Sequence, residues 1–285
     1  MKKQITILGK TNGTRMLDLM KAAKTFKKAD IEVIAFDTLT LSEIPILLKK
    51  IQGTVLYMGF TKTEPKIRRT LRKKIMKRHI LINGISTKNK KIKQKYSQQI
   101  IVKKAGLLGI PSYKFSSFTG LEKKLQSHKI LHYPFILKKN VSSQGKDVHK
   151  IEKFTDLKQY ENNIEKYVFQ PFIENKGDFR IFVVGTKILG VILRTAAKGD
   201  HRNNISQGGS AKKYTNETHL KKIHTFAKKL VKLFECDYAG VDLIYDEKEK
   251  KLRFMEMNFM PQWSGFTKAT KVNVPLELLT YASNR

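Results

Sequence analysis

The sequence predicts an α/β protein in which a small parallel-sheet domain precedes a larger domain rich in hairpins. Three observations predict it. Short apolar runs alternate with a helix-period pattern in the first third of the chain, a polar lysine-rich stretch then interrupts it, and beyond that stretch apolar runs come in pairs joined by short turns. Alternating strand and helix favours a parallel sheet covered by helices, and paired runs favour antiparallel hairpins. The 285 residues suit two domains of about 100–200 residues each. The break is placed near residue 93, dividing 1–93 from 94–285.

Taken in order, Ile5-Thr6-Ile7-Leu8, the run Ile31 to Phe36 and the run Thr54 to Met58 read as buried strands. Between the first two, Met16, Leu17, Leu19, Met20 and Ala23 recur at helical spacing, which completes a β-α-β unit. His79 to Asn83 is expected as a fourth strand, and Ser86 to Lys93 as a polar linker. Ile100, Ile101, Lys104, Ala105 and Leu108 predict a helix stopped by Gly109-Ile110-Pro111. Tyr133 to Lys138 reads as a strand entering the loop Asn140 to Val148. Further strands are expected over Val168 to Ile173, Phe179 to Val184 and Lys187 to Leu193. Residues 195–213, polar and glycine-rich, are expected as a mobile loop. Leu220, Ile223, Phe226, Ala227, Leu230 and Leu233 place one apolar face on a helix from Glu217 to Phe234. A hairpin then joins Ala239 to Tyr245 with Leu252 to Asn258 across a charged turn.

With 40% hydrophobic and 9% aromatic residues, the composition excludes a disordered or collagenous chain. The single Cys236 cannot form an intrachain disulfide, and the apolar stretch Ile5 to Leu8 is too short for a signal peptide. No run approaches the roughly 18 apolar residues of a membrane span, so a cytoplasmic protein is expected. Charge is the one extreme: 57 basic against 24 acidic residues, a net +33. That suits acidic partners, yet 47 of the 57 are lysine, and lysine-biased amino-acid usage explains the excess equally. The excess is uneven, because residues 61–104 hold 16 basic residues and one acid, Glu64. This segment is a candidate surface for an acidic or ribosomal partner.

Side chains alternate along a strand, so Leu252, Phe254, Glu256 and Asn258 share one face. Asp242 and Ile244 join that face if even positions pair with even. Two carboxylates and an amide oxygen on an otherwise apolar face repel and lose hydration unless a cation neutralises them, and hard oxygen donors suit Mg²⁺ or Mn²⁺. The alternative is that they face solvent or pair with lysines. Lys138, at the end of a buried strand and followed by Ser143-Gln144-Gly145, is placed to reach a phosphate, although a surface lysine fits the same pattern. Arg180, Arg194 and Arg202 offer planar forks suited to carboxylate or phosphate oxygens. Gly9-Lys10-Thr11-Asn12-Gly13-Thr14 lacks the order of a phosphate-binding loop and reads as an ordinary strand-to-helix turn. His128 and His132 lack a third ligand, and Cys236 follows an apolar helix, as a packed rather than a nucleophilic thiol does.

In order, Tyr133-Pro-Phe-Ile-Leu-Lys138, Ser143-Gln-Gly145, Gln170-Pro-Phe-Ile173, Gly177-Asp-Phe-Arg-Ile-Phe-Val-Val184, Gly199-Asp-His-Arg-Asn-Asn204, Gly208-Gly209, Ala239-Gly-Val-Asp242 and Phe254-Met-Glu-Met-Asn258 resemble the ATP-grasp superfamily, and within it the RimK-like carboxylate–amine ligases. The resemblance covers roughly residues 95–280. It implies an ATP-grasp fold, two α+β subdomains gripping ATP, with a lid over about 120–168 and a catalytic subdomain over about 169–285, behind a small N-terminal parallel-sheet domain.

The resemblance further implies that Lys138 contacts ATP phosphates. Gln170, Pro171, Phe172 and Ile173 would hold adenine through backbone groups, and Asp178 would lie against the nucleotide. Arg202, Asn203 and Asn204 would meet phosphates or the reacting acyl group, with Arg180 and Arg194 as further cations around the developing charge. Asp242, Glu256 and Asn258 match magnesium ligands. The implied activity is ADP-forming joining of a carboxylate and an amine through an acylphosphate, with an amino acid such as glutamate, a peptide, a protein tail or a small amine as substrates. Two alternatives stay open: a nucleic-acid- or ribosome-binding protein on a degenerate scaffold, and a small-molecule ligase like glutathione synthase or D-alanine ligase. Three departures from the family pattern stand out. Ser97-Gln98 occupies the place of an Asp-Lys pair opening the first helix, Pro171 removes a hinge amide, and Phe259 to Phe266 replaces a smaller, glycine-richer run around Trp263, which either lines an acceptor pocket or packs.

Overall fold

A computed structural model describes residues 2–59, 62–127, 131–142, 147–205 and 208–285, with the backbone alone at Lys90. The expected Ser143-Gln144-Gly145 loop and His128 lie outside the described residues. β1 (Lys3–Gly9) is the central strand of a parallel sheet, flanked by β2 (Ala29–Ala35) and β3 (Thr54–Gly59). Crossovers run through α1 (Thr14–Thr25) and α2 (Ile44–Lys50). Both faces of β1 are covered, which is why its apolar run is continuous rather than alternating. α3 (Pro65–Ile75) follows β3, with proline in its first turn and Leu71 and Ile75 buried.

The expected fourth strand does not form. Leu81 makes a single bridge to Val55, after which Asn83 takes φ 57 and turns the chain away. Nor is 86–93 an open linker. It folds into α4 (Ile85–Lys88) and a 3₁₀ turn, Lys90–Lys93, burying Ser86, Thr87 and Ile92. α5 (Lys95–Lys104) ends earlier than predicted because Gly106 adopts φ 68.

After α6 (Phe118–Gln126), a small antiparallel sheet of order β5-β4-β6 is built from β4 (Phe135–Lys139), β5 (Val148–Ile151) and β6 (Tyr167–Pro171). Phe135 and Leu137 point into its own core with Leu121, Leu157, Ile164 and Phe169, so Ile136 and Lys138 face the other way. A larger antiparallel sheet contains β7 (Asp178–Val184), β8 (Lys187–Thr195) and β9 (Ser210–Lys213). β9 corrects the expectation of one loop over 195–213, since its four residues pair with β8. α7 (Glu217–Phe234) has the predicted ends, capped by Asn216, whose Oδ1 accepts from the His219 amide at 3.0 Å. β10 (Tyr238–Asp246) and β11 (Lys251–Asn258) complete the order β11-β10-β7-β8-β9. α8 (Ser264–Thr270) and α9 (Val274–Ser283) end the chain.

The two faces of this larger sheet are unlike. Phe179, Ile181, Val183, Ala239, Val241 and Leu243 pack under α7 with Ile223, Ala227, Leu230 and Phe234. On the opposite face, Phe182, Val184, Ile192 and Tyr238 share a core with Ile5, Leu19, Met58, Trp263 and Leu278. The N-terminal sheet, α8 and α9 thus cover only one end of that face. The other end is left for Asp178, Arg180, Arg194 and Asp242.

Asn83 ties the N-terminal residues to this arrangement. Its Nδ2 donates to the carbonyls of Tyr238 (2.8 Å) and Phe259 (2.7 Å), and its Oδ1 accepts from the amides of Asp237 (2.8 Å) and Tyr238 (3.2 Å). Every hydrogen-bonding site of a buried amide is thereby used. Asn83→Ala should therefore cost about 3 kcal/mol by leaving buried backbone groups unpaired, read as a lower urea midpoint; an unchanged midpoint would deny the side chain this role.

Candidate active site

Between the two antiparallel sheets lies a cleft whose lining comes from both. Ile136 and Lys138 of β4 form one wall with Gln170, Pro171, Phe172 and Ile173. Asp178, Arg194, Asp242, Met255 and Glu256 form the opposite wall. His201, Arg202, Asn203 and Asn204 close one side, and Lys95 enters from the first turn of α5.

The second wall is an ion network dictated by strand register. Arg194 stands opposite Asp178 across β8 and β7, and Arg180 opposite Asp242 across β7 and β10. Arg194 Nε donates to Asp178 Oδ1 at 2.6 Å, and its Nη2 lies 3.1 Å from Asp242 Oδ2. Arg180 grips the same carboxylate as a fork, Nε to Oδ1 and Nη2 to Oδ2, the latter at 2.8 Å. Asp178 and Asp242 are each 2% exposed. Burial alone would push Asp242 up, but Arg180 and Arg194 together hold it below the usual carboxylate range. Burial raises Asp178, which has Arg194 against it and the Asp242 charge beside it. Gly240 makes room for this packing: a β-carbon there would sit 2.7 Å from Arg180 Nη1 and 3.0 Å from Pro261 Cβ.

Cations face this wall. Desolvation lowers the amine of half-buried Lys138; Glu256 resists that shift and Lys95 adds to it. Lys95 Nζ lies 3.3 Å from Glu256 Oε2 and donates to the Ser142 carbonyl at 3.0 Å. Arg202 closes on Asp200, Nη2 to Oδ2 at 2.8 Å, and this bonding brings Asp200 down to about 2. Asn203 Nδ2 donates to Asn175 Oδ1 at 3.1 Å, linking the 201–204 side to the chain after Ile173. Gly209 lets the chain fold back there, since a β-carbon would meet three backbone carbonyl oxygens at 3.0 Å or less. Gln170 Nε2 donates to Ser112 Oγ at 2.8 Å, while its buried Oε1 has no partner among the described residues.

The hairpin carrying the expected metal ligands has the predicted even-to-even pairing at Asp242 and Glu256, and Gly240 opposes Asn258. A bulge between Asp242 and Leu243 then shifts the register, so that Leu243 opposes Phe254. Phe254 consequently points into the α7 core rather than sharing the face of Glu256, and Met255 joins the cleft wall instead. Asn258 Oδ1 accepts from the Met260 amide at 3.0 Å, and Asn258 is not among the cleft-lining residues. Among the described residues no three acidic, histidine or cysteine side chains converge to hold a metal ion unaided. Asp242, forked by Arg180, and Glu256, against Lys95, offer hard carboxylate oxygens to the cleft, while the Asn258 oxygen is held by the Met260 amide outside its lining. The two carboxylates fit Mg²⁺ or Mn²⁺ arriving with phosphate oxygens and water, which is how magnesium is commonly held, and do not fit a closed cage.

Of the residues singled out from the sequence, the cleft brings together Lys138, Gln170, Pro171, Phe172, Ile173, Asp178, Arg194, Arg202, Asn203, Asn204, Asp242 and Glu256. Arg180 stands behind the wall, holding Asp242. The expectation that Ser97-Gln98 opens the first helix is corrected: the helix begins at Lys95, and Gln98 lies inside it, donating to the carbonyls of Ile92 (2.8 Å) and Met257 (2.9 Å). The cleft receives Lys95 from the start of this helix, one of 47 lysines and marked in the sequence only by that place. Trp263 packs in the core shared with the N-terminal sheet, its Nε1 donating to Asp18 Oδ2 at 2.7 Å, and is not among the residues lining this cleft. Cys236 is buried, its thiol pushed up to about 12 by desolvation.

Residues 91–282 match the RimK-like ATP-grasp domain. The chain is 33% identical over 127 residues to a tetrahydromethanopterin:alpha-L-glutamate ligase of Methanocaldococcus jannaschii, covering 43% of this chain and 42% of that one. It is 32% identical over 177 residues to a probable alpha-L-glutamate ligase of Haemophilus ducreyi, covering 58% and 55%. The chain thus spans about half the length of the curated relatives it matches. The D-alanine–D-alanine ligase of Bacillus anthracis, solved with ATP, superposes with a TM-score of 0.67 over 100% of this chain and 96% of that one at 14% identity, a likeness of fold. The fold is ATP-grasp, and no helix among the described residues is long and apolar enough to cross a membrane.

Removing one arm of the ion network leaves a buried carboxylate short of charge. Arg180→Met should destabilise the chain by about 3 kcal/mol, measured by urea unfolding; wild-type stability in this variant would show that Asp242 needs only Arg194.

Proposed function

The chain belongs to the RimK-like ATP-grasp family, and we propose on that premise that it is an ADP-forming carboxylate–amine ligase. The observation that carries this reading is the facing of Lys138 and Lys95 across one cleft toward the buried Asp178–Arg194–Asp242 wall and Glu256. Such a cleft suits a polyphosphate: two lysines and Arg202 meet its oxygens, while the carboxylates receive the cation that accompanies it.

In this reading Lys138 and Lys95 hold the phosphates and the backbone of Gln170 to Ile173 holds the adenine, with Pro171 unable to donate. The unpaired Gln170 Oε1 is an acceptor available to the base, and Asp178 lies beside the nucleotide. Asp242 and Glu256, with Asn258 adjoining, would hold Mg²⁺, whose charge offsets that of the phosphates. The substrate carboxylate attacks the terminal phosphorus and ADP leaves. The amine then adds to the acylphosphate carbon, and phosphate departs from the tetrahedral intermediate with loss of a proton, giving the amide. Arg194, Arg202, Asn203 and Asn204 surround the place where negative charge develops, and Arg180 acts by positioning Asp242. No protein nucleophile is required, which accords with a buried, protonated Cys236.

The two relatives, named as ligases of L-glutamate, support an amino acid such as glutamate as one substrate, and the other in this reading is a peptide, a protein tail or a small amine. Screening amino acids, dipeptides and acidic peptides for Mg-dependent ADP release tests the reading. With the accepted pair, Lys138→Ala and Glu256→Gln should each lower turnover at least 100-fold while the fold is retained. Turnover at the wild-type rate in both variants would remove the cleft from the reaction.

A further inference from the structure

Outside the cleft, the least compensated charge sits on α3. Arg180, Arg194, Arg202, Arg253 and Arg285 each pair with a carboxylate. Arg68, Arg69 and Arg72 pair with none among the described residues, and the Nε of each is buried without a hydrogen-bond partner. Arg68 and Arg72 are four apart, so they lie on one helix face. The Arg72 guanidinium stands over the Tyr57 ring, 5.5 Å from its centroid. Burial and then the charges of Arg68 and Arg69 lower Arg72. Lys93, although exposed as a residue, joins the group: desolvation of its amine, then Arg72 and Arg68, bring it down to about 8. On α4, which packs against α3, Thr87 Oγ1 is also buried and unpaired.

Four cations without a counter-charge repel one another, and donors buried without acceptors cost stability. Lysine-biased usage does not account for the cluster, because three of the chain's ten arginines fall within five positions. Guanidinium forks suit multi-oxygen anions as ammonium groups do not. α3 follows β3 and carries Arg68 and Arg69 at its middle and Arg72 in its last turn. Lys93 is two residues from Lys95, which lines the cleft.

We propose that Arg68, Arg69, Arg72 and Lys93 form a second site, one that binds a compact oxyanion group carrying two or more negative charges, either a clustered carboxylate end or a phosphate monoester. Only the identification of this group with the far end of the ligase's second substrate rests on the function proposed above. Binding itself does not.

Calorimetric titration of the full chain, without nucleotide, using inorganic phosphate and glutamyl-glutamate as separate probes, tests the site. Saturable binding of either is expected, weakened at least tenfold in Arg68→Gln/Arg72→Gln and less in Arg72→Lys, which keeps the charge and loses the fork. Tighter phosphate binding identifies a phosphorylated ligand, and tighter dipeptide binding an acidic one. Lys77→Gln/Arg78→Gln, on exposed residues just beyond the helix, should bind as the wild type does. ATP binding, measured on the same double variant, should be unchanged and reports the cleft separately. Absence of binding by both probes, or equal loss in the Lys77/Arg78 control, would overturn the proposal.

Discussion

Two aspartates buried in a sheet need cations, and the structure is arranged around meeting that need. Asp178 and Asp242 project from β7 and β10 onto a face that would otherwise be apolar, and Arg194 and Arg180 answer them from register positions across the strands. The desolvation cost of these charges is offset by the Arg180 fork on Asp242 and by the contacts of Arg194 with both carboxylates. Once in place, the network gives the cleft a wall that is charged yet rigid. A site that must meet a polyphosphate benefits from groups that do not have to reorganise when charge arrives.

The same sheet face explains how the N-terminal residues take part. One end of it is covered by Trp263, Phe266, Leu278 and the parallel sheet, and the other end holds the charges. Asn83 and the Trp263–Asp18 bond lock the covering elements to β10 and to the chain after β11. The apolar end thereby fixes where the charged end begins. The small sheet with Lys138 contributes the facing wall from a core of its own.

Much of this was legible in the sequence because it follows from short periods. Helix α7 has its expected extent and the strands carrying Asp178 and Asp242 match theirs to within one residue at each end, since alternation and capping are local properties. The bulge beside Asp242 was not legible: one extra residue on β11 turned Phe254 into the core and Met255 to the cleft, and no pattern in the hairpin announces it. The run His79 to Asn83 has the composition of a strand, but the long-range bonds of Asn83 select a turn. Lys95 escaped notice because an abundant residue type carries little information, and its role depends on Glu256, far along the chain. Trp263 likewise could not be assigned until Asp18 was seen beneath it. The arginine group on α3 was visible as excess charge, but its lack of counter-charges became clear only in three dimensions.

In the proposed ligase, a nucleotide's phosphates, with their divalent ion, occupy the space between Lys138 and the Asp242–Glu256 pair. Crystallography with a non-hydrolysable ATP analogue and Mn²⁺ tests it directly through the anomalous signal of the ion. The expected result is a peak about 2.1 Å from a Glu256 carboxylate oxygen, with the terminal phosphate against Lys138 and Lys95. A nucleotide bound in this cleft with its ion remote from both Asp242 and Glu256, or no nucleotide in the cleft at saturating concentration, would contradict it.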